Sequence, residues 1–282
     1  MRTGHLFSML VSCAAIFALQ NTRAGGQEVV SRGTSATVLP SSDAAIPASS
    51  ATPSRSAADA PLPSPKELLA KNDEVMGGRE AWNKVTTRRM KGLYQTEDNS
   101  TFFSIEILQK TPNKSLDKIT LPNEMIVRDV CDGHAAWVED TVGGYHELYG
   151  AALTSRLRRS EFLDRGKAFL LATAGKVTGV EKIGKHNAYV VEYAPEKNVA
   201  SRLYFDVDSG YLVHSEDVYT TADGPYTMKM DFDDYRLVDG LKFPYRVKLT
   251  EKGMVLNIRI IQASVNAPVD DALFLKPESA PK

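Results

Sequence analysis

The residues that could bind a metal or act as a general base are few and scattered along this chain. After residue 24 there are four histidines, His134, His146, His186 and His214, and no two of them have the i, i+4 spacing that places two ligands on one helix face. The segment Cys131-Asp132-Gly133-His134 offers one pair of ligands across a tight turn, and no second pair follows it. The pattern predicts no metal site and no catalytic histidine.

The acidic residues near position 235 do not match a known site either. Asp231, Asp233, Asp234 and Asp239 lack the alternating spacing of a calcium loop, and two of them belong to the polar side of a strand. The chain has no Gly-x-Ser-x-Gly elbow, no phosphate loop and no dinucleotide fingerprint. We therefore predict a non-enzymatic protein without catalytic residues or a cofactor. Carboxylates brought together by separate strands stay open as an alternative.

Two groups of side chains keep a binding function open. Arg156, Arg158 and Arg159 form a solvated helix face in one interpretation. In the other they line the rim of an apolar cleft and meet lipid phosphate or an acidic partner. Met228 and Met230 lie on the apolar side of a strand, where they either pack in a core or form a flexible wall that adapts to lipid or peptide.

Strands must position these residues. From residue 226 to residue 261 apolar and polar residues alternate, so each strand has one apolar and one polar face. The short turns Val238-Asp239-Gly240 and Glu251-Lys252-Gly253 end in glycine, as hairpins require. Similar segments elsewhere bring the total to about eleven strands joined mostly by short turns. A sheet of that width must curl, close or split.

Helical signals interrupt the strands in two places. Ser64-Pro65-Lys66-Glu67 combines an N-cap serine, a proline at the first helical position and a capping-box glutamate. It predicts a helix ending at Gly77-Gly78, followed by a short helix over 79–85. Residues 150–175 carry apolar residues at helical spacing. So few helices cannot supply βαβ crossovers, which predicts an antiparallel, mainly β (α+β) fold.

The N-terminal region is typical of an exported protein. Residues 1–24 combine Arg2, an apolar stretch and small residues before a cleavage site after Ala24, which predicts a signal peptide and a periplasmic protein. A lipid-anchored form at Cys13 is the less favoured alternative, because the apolar stretch continues beyond that cysteine. Cleavage would leave Cys131 alone, so no internal disulfide is available and we expect Cys131 to be a buried strand residue.

Composition divides the remainder of the chain. Residues 25–63 are rich in Ser, Ala, Pro and Thr and predict a disordered linker with an end-to-end distance of roughly 35 Å. Residues 64–277 predict one folded domain, and 278–282 a short tail. Cleavage removes two of the 34 basic residues and none of the 35 acidic ones, so the net charge changes from −1 to −3. Such a charge does not favour nucleic acid as a partner.

Several motifs of the folded part resemble those of exported bacterial proteins described as outer-membrane lipoprotein-sorting proteins, which are similar to the LolA and LolB lipoprotein carriers. They are the segments Met76–Trp82, Cys131–Trp137, Leu203–Asp206, Ser209–Val213, Asp234–Arg236, Val238–Gly240 and Phe243–Tyr245, with Asn266, Asp270, Asp271 and Phe274 near the end. The resemblance spans 64–277. It implies an unclosed antiparallel β-barrel whose concave apolar face is capped by helices.

The resemblance also implies a function. The protein would be a periplasmic carrier, acting as a monomer, of lipid or lipoprotein acyl chains. Helices at 65–85 and 151–174 would cover the binding surface, and an envelope protein could be a further partner. The carriers' lid-locking arginine has no assignable counterpart here. The predicted lining residues are Phe103, Ile105, Ile107, Trp137, Met228, Met230, Tyr245 and Val247.

Two other functions compete with a carrier. The first is a non-enzymatic cell-envelope scaffold or accessory domain with a filled core. The second is a hydrolase on the same fold, which would need converging polar groups in a cleft. A vacant apolar surface beneath the helices would separate the carrier from the scaffold. Each buried methylene of an acyl chain contributes about 0.8 kcal/mol, so such a surface binds lipid without polar recognition.

Overall fold

A single antiparallel sheet dominates the computed structural model, which describes residues 61–97, 102–141, 144–162, 171–196, 199–221, 224–251 and 253–276. Thirteen strands form this sheet, and every pair of neighbouring strands is antiparallel. The predicted signal peptide, all of the linker up to residue 60 and the predicted tail lie outside the described residues.

Helices flank the sheet at its start and in its middle. The α-helices are α1 (Pro65–Val75), α2 (Arg79–Asn83) and α3 (Gly150–Arg159). The strands are β1 (Thr87–Thr96), β2 (Phe102–Lys110), β3 (Lys114–Thr120), β4 (Ile126–Cys131), β5 (Ala136–Asp140), β6 (Gly144–Glu147), β7 (Lys176–Ile183), β8 (His186–Glu196), β9 (Val199–Asp206), β10 (Leu212–Thr221), β11 (Gly224–Val238), β12 (Leu241–Glu251) and β13 (Met254–Val265). A 3-10 helix (Asp271–Phe274) follows β13. None of the described helices combines the length and the apolar character needed to cross a membrane.

The order of the strands places both ends of the chain's β structure in the middle of the sheet. Strands β1 to β6 follow one another from the centre to one edge, and β7 to β13 return from the other edge to the centre. There β1 pairs with β13, from Arg88 opposite Val265 to Thr96 opposite Leu256. The edge strands β6 and β7 do not pair with each other, so the sheet stays open. The segment with α3 connects these two edges.

The N-terminal helices form as their capping signals predict. The Ser64 hydroxyl accepts from the Glu67 amide, and the Glu67 carboxylate accepts from the Ser64 amide at 2.7 Å. Lys71 then donates to the Val207 carbonyl at 2.7 Å and Asn72 donates to the Gly210 carbonyl at 2.9 Å, which attaches α1 to the β9–β10 turn. The helix therefore lies across one end of the sheet.

Alternation along the strands divides the sheet into two faces. The inner face carries Tyr94, Ile105, Met230 and Val247, and these residues belong to one large apolar cluster. The same cluster contains Leu68 of α1 and, beyond the strands, Val85, Phe162 and Leu171, while Trp82 of α2 packs against it. The helices and the α3 connection therefore cover the inner face. This arrangement confirms the predicted open antiparallel sheet capped by helices.

The outer face has two smaller apolar clusters. In one of them Phe274 of the 3-10 helix packs on Leu108, Leu116, Val130 and Trp137. Lys110 and Lys114 both bind Asp271, at 3.0 and 2.7 Å, and so fix the C-terminal segment on this face. The second cluster contains Ala188, Val190, Tyr204 and Val213. The C-terminal segment thus completes the outer side of β2 to β5.

The strand count exceeds the sequence prediction. We expected about eleven strands, and the structure has thirteen. The clearest omission is β6 (Gly144–Glu147), because the paired glycines Gly143-Gly144 in the sequence favour a turn over a strand. A short edge strand needs little apolar alternation, because it is paired on one side only. The prediction for Cys131 is confirmed, since this cysteine is fully buried in β4.

Candidate functional site

Seven of the eight predicted lining residues lie together on the inner face. Pairing across strands β13, β12 and β11 aligns Ile258, Val247 and Phe232 in one row. Tyr94 of β1 lies opposite Ile258 and continues this row to Phe103 of β2. The predicted members of the inner face are Phe103, Ile105, Ile107, Met228, Met230, Tyr245 and Val247. All of them except the half-buried Met228 are at most 8% exposed.

Trp137 is placed differently from the prediction. In β5 it lies opposite Val130 and packs in the outer-face cluster with Phe274. Its neighbour Val138 takes the inner position and belongs to the large cluster. The prediction that Trp137 lines the same surface is therefore wrong. An aromatic residue in a strand indicates burial, but in a sheet that is covered on both faces burial does not specify which face.

A buried ionic cluster attaches α3 to the inner face. The Arg156 Nε donates to Asp129 Oδ1 at 2.6 Å, and its guanidinium lies 3.6 Å from Asp117 Oδ2. The same guanidinium donates to the hydroxyls of Ser115 and Ser160 at 2.8 and 2.5 Å. The Arg156 side chain is 2% exposed. The helix is thus held on the sheet by a charge that has no access to solvent.

The two aspartates explain why an arginine is needed there. Asp117 and Asp129 lie opposite each other on β3 and β4, and like charges in that arrangement repel. Burial acts to lower the pKa of Arg156, but the charges of Asp129 and Asp117 outweigh it and raise the pKa above its usual value. The prediction of a solvated or rim arginine is wrong for Arg156. The side chains of Arg158 and Arg159 lie outside the described part of the structure.

The helices α1 and α2 form one cap over the inner face, and α3 with Phe162 and Leu171 forms the other. A second arginine lies where these two caps approach each other. Arg88 of β1 is buried, and its Nε donates to Gln109 Oε1 at 2.6 Å. Its guanidinium carbon lies 6.0 Å from the Trp82 ring centroid and 5.6 Å from that of Phe162, so residues from both caps contact one cation. Burial lowers the pKa of Arg88 to about 10, against the opposing charge of Asp117. Arg88 thus stays charged at neutral pH.

The opposite end of the inner face is also polar. Ser201, Asp217 and Glu251 are buried, and the Ser201 hydroxyl donates to Asp217 Oδ1. Asp217 lies opposite Met228, which in turn lies opposite Glu251, so both carboxylates point to the inner side. Ser215, two residues before Asp217, is 1% exposed, and its Oγ has no hydrogen-bond partner in the described structure. No motif in the sequence predicts this group of buried polar residues.

A groove of about 620 Å³ lies on the outer face, not under the helices. Its lining comes from β1, the start of β2, β11, β12 and β13, and it consists of Leu93, Gln95, Phe102, Asp231, Asp233, Arg246, Val247, Lys248, Asn257, Ile258 and Arg259. Most of these residues alternate with inner-face residues and bear charged or amide groups. Lys248 and Arg246 form ion pairs with Glu97 and Asp233 at its border. Val247 and Ile258 of the inner face also contribute to its lining, so the groove lies directly behind the predicted lipid surface.

The histidines with close partners lie on the outer face. His214 Nδ1 is 2.6 Å from Asp231 Oδ1, and its Nε2 is 3.5 Å from Glu216. Burial acts to lower the pKa of His214, but the hydrogen bonds to Asp231 and Glu216 outweigh it and raise the pKa. The hydrogen bond from His214 lowers the pKa of Glu216 to about 2. Within the described residues no three His, Cys, Asp or Glu side chains are grouped to hold a metal ion.

Two solved structures are similar to this fold over most of the chain. A LolA superfamily protein from Nitrosomonas europaea is similar over 76% of this chain and 99% of its own, with 15% sequence identity and a TM-score of 0.50. A DUF1329 family protein from Desulfovibrio piger is similar over 75% of this chain and 95% of its own, with 13% identity and a TM-score of 0.52. No protein-family model and no curated protein matches the sequence.

These likenesses define the class of the fold. It is an open antiparallel half-barrel with helices on its inner face. It is the LolA-like fold, and the resemblance that the motifs indicated is confirmed at the level of the fold. Identity this low shows architecture only, so function has to be argued from the residues of the inner face.

Proposed function

We propose that the protein is a non-enzymatic periplasmic carrier, or binder, of the acyl chains of lipids or lipoproteins. The observation that carries the proposal is the inner face itself. One continuous apolar cluster extends across β1 to β5 and β8 to β13, and it is covered by segments that are not part of the sheet. Such a cover can separate from the sheet while the strand pairing stays intact.

The apolar rows suit a hydrocarbon chain. Each methylene transferred from water to this surface contributes about 0.8 kcal/mol, so an acyl chain of a dozen carbons supplies about 10 kcal/mol before the costs of opening. Met228 and Met230 lie within the surface and can change rotamer around a ligand. Protein contacts of the closed cap offset part of the gain, which permits release.

The ionic contacts of α3 set the cost of opening. Arg156 would have to leave Asp117 and Asp129, or the sheet around them would have to move with the helix. The second contact between the caps is Arg88, which lies between Trp82 and Phe162. A carrier of this design holds its cap closed by charge and admits the ligand when the apolar gain exceeds that attraction.

Binding of an acyl-chain probe tests the proposal. Delipidated protein is titrated with a fluorescent fatty acid, and saturable binding at micromolar concentration is the expected result. Met228→Trp adds bulk to the inner face at a half-buried position and should weaken binding, whereas Leu237→Trp on the exposed outer side of the same strand should not. Binding that is absent, or equal in both variants, contradicts a carrier. Native mass spectrometry of protein from its own envelope would identify the natural ligand.

A scaffold with a filled core is the second candidate, and one observation favours it. Six of the seven inner-face residues are already buried by the protein's own side chains. A scaffold would use the same caps as permanent parts of the core. It predicts no probe binding and no co-purified lipid, so the titration separates the two candidates. In either case the proposed function involves no catalytic step.

A further inference from the structure

The inner face has a polar end that an apolar ligand would not require. Ser201, Ser215, Asp217 and Glu251 lie on strands β9, β10 and β12, near the turns remote from α1. Each is at most 6% exposed. They adjoin the apolar row formed by Leu203, Met230, Leu249 and Leu256, which belongs to the large cluster. The surface is therefore amphipathic along the strands.

The serine hydroxyl is the most informative member of this group. Ser215 lies between Leu203 and Met230 on the neighbouring strands, and both of these apolar residues are buried. Its Oγ is buried and has no hydrogen-bond partner in the described structure. A buried hydroxyl without a partner opposes folding, because it loses its hydrogen bonds to water. A ligand atom at this position would restore the lost bond.

The carboxylates determine the chemical class of that ligand. Asp217 and Glu251 lie two strands apart, about 10 Å between Cα atoms, on either side of Met228. Ser215 precedes Asp217 by two residues on the same face, about 7 Å along the strand. Ionised carboxylates only accept hydrogen bonds, and they repel phosphate and carboxylate groups. An ammonium group donates three hydrogen bonds and carries the complementary charge.

We propose that this polar end binds the ammonium group of an amine-bearing amphiphile, while the hydrocarbon chain lies along the apolar rows of the inner face. The proposal rests on the carrier function, and it specifies the ligand as an aminolipid or a comparable alkylamine. Asp217 and Ser215 would contact the ammonium directly. Ser201 would hold the Asp217 carboxylate in place through the hydrogen bond that it donates.

Three probes distinguish the contribution of the ligand's amine to binding from that of its hydrocarbon chain. Dodecylammonium, dodecanol and ethanolamine are titrated into the full-length protein below their micelle concentrations. We expect dodecylammonium to bind at least tenfold more tightly than dodecanol, and ethanolamine not to bind. Ser215→Ala and Asp217→Asn should each reduce the ratio of dodecylammonium affinity to dodecanol affinity at least tenfold, a change of about 1.4 kcal/mol. Ser104→Ala and Asp239→Asn, both exposed, serve as controls.

The outcomes distinguish this proposal from the carrier function. Equal binding of dodecylammonium and dodecanol, unchanged in both variants, overturns the amine site and leaves the carrier standing. Binding of neither probe overturns both. Should Asp217→Asn fail to fold, Ser215→Ala decides alone, because removal of a buried hydroxyl without a partner is expected to preserve or raise the Tm. A higher Tm together with unchanged amine preference assigns Ser215 a packing role only and refutes the site.

Discussion

Replacing Arg156 by methionine should destabilise this domain more than any exposed charge substitution. Methionine keeps most of the apolar length of the side chain and removes the guanidinium. In the variant Asp117 and Asp129 stay buried on facing strands without the cation between them. The hydroxyls of Ser115 and Ser160 also lose a donor. The change therefore isolates the charge from the volume of the side chain.

The expected loss follows from the burial of the pair. Removing one partner of a buried ion pair typically costs about 3–5 kcal/mol, because the remaining charge is left without compensation. The Arg156 side chain is 2% exposed and those of the two aspartates 8% and 3%, so solvent does not screen the cluster. For a domain of this size each kcal/mol lowers the Tm by about 2–4 °C. The predicted decrease is thus about 6–20 °C.

Urea unfolding measures the effect, with Arg128→Met as the matched control. Arg128 is adjacent to Asp129 on the same strand, points to the opposite side and forms an exposed pair with Glu139 at 3.4 Å. Its substitution should cost less than about 1 kcal/mol. Adding Asp117→Asn and Asp129→Asn to the Arg156→Met variant should recover part of the stability. Equal losses for the two methionine variants, or no recovery, would refute the assigned role of the charge.

Three further predictions concern single residues elsewhere in the fold. His214→Gln should cost most stability below pH 6.5 and progressively less as the pH rises, because a raised pKa stabilises only the protonated form. Gly77→Ala should destabilise clearly more than Gly78→Ala: both have positive φ, but a Cβ at Gly77 would lie 2.5 Å from the Gly240 carbonyl oxygen and one at Gly78 meets nothing within 4 Å. Ser64→Ala removes the cap of α1 and should cost about 1 kcal/mol.

Equilibrium unfolding checks all three predictions. For His214 the difference in free energy between wild type and variant is measured from pH 5 to 8, and a difference that grows with pH would reverse the sign argument. For the glycines, similar losses in both variants would show that backbone conformation, not the collision, governs the turn. For Ser64, loss of helical circular dichroism without any change in stability would indicate that α1 does not contribute to the cooperative unit.

Sequence patterns specified the strands well because the alternation reflects burial on one face. The segment from residue 226 to 251 alternates cleanly, and its apolar members Met230, Phe232, Val247 and Leu249 all reach the inner face. The capping box at Ser64 likewise placed the start of α1 correctly. Trp137 was misplaced because β5 is buried on both sides, so alternation carries no information about which side is inner.

The polar part of the inner face could not be found by motif. Asp117 and Asp129 are separated by a hairpin, and Arg156 comes from a different element, so their meeting depends on how α3 crosses the sheet. One signal was available, namely two acidic residues at inner positions of adjacent strands. Such a pair requires a cation, and the adjacent Lys118 and Arg128 point to the opposite face, so the cation has to come from another element. Ser215 gave no signal, because one serine in a strand is common.

The pairing of β1 with β13 has a consequence for the order in which the fold can form. The central seam joins residues such as Arg88 and Val265, which lie far apart in the sequence, so it is among the contacts of longest loop closure. Until residue 265 has been synthesised, the half that contains β1 to β6 exposes the unpaired edge of β1. A nascent or still-unfolded chain therefore presents an open strand to its surroundings, and only the last strand removes that aggregation hazard.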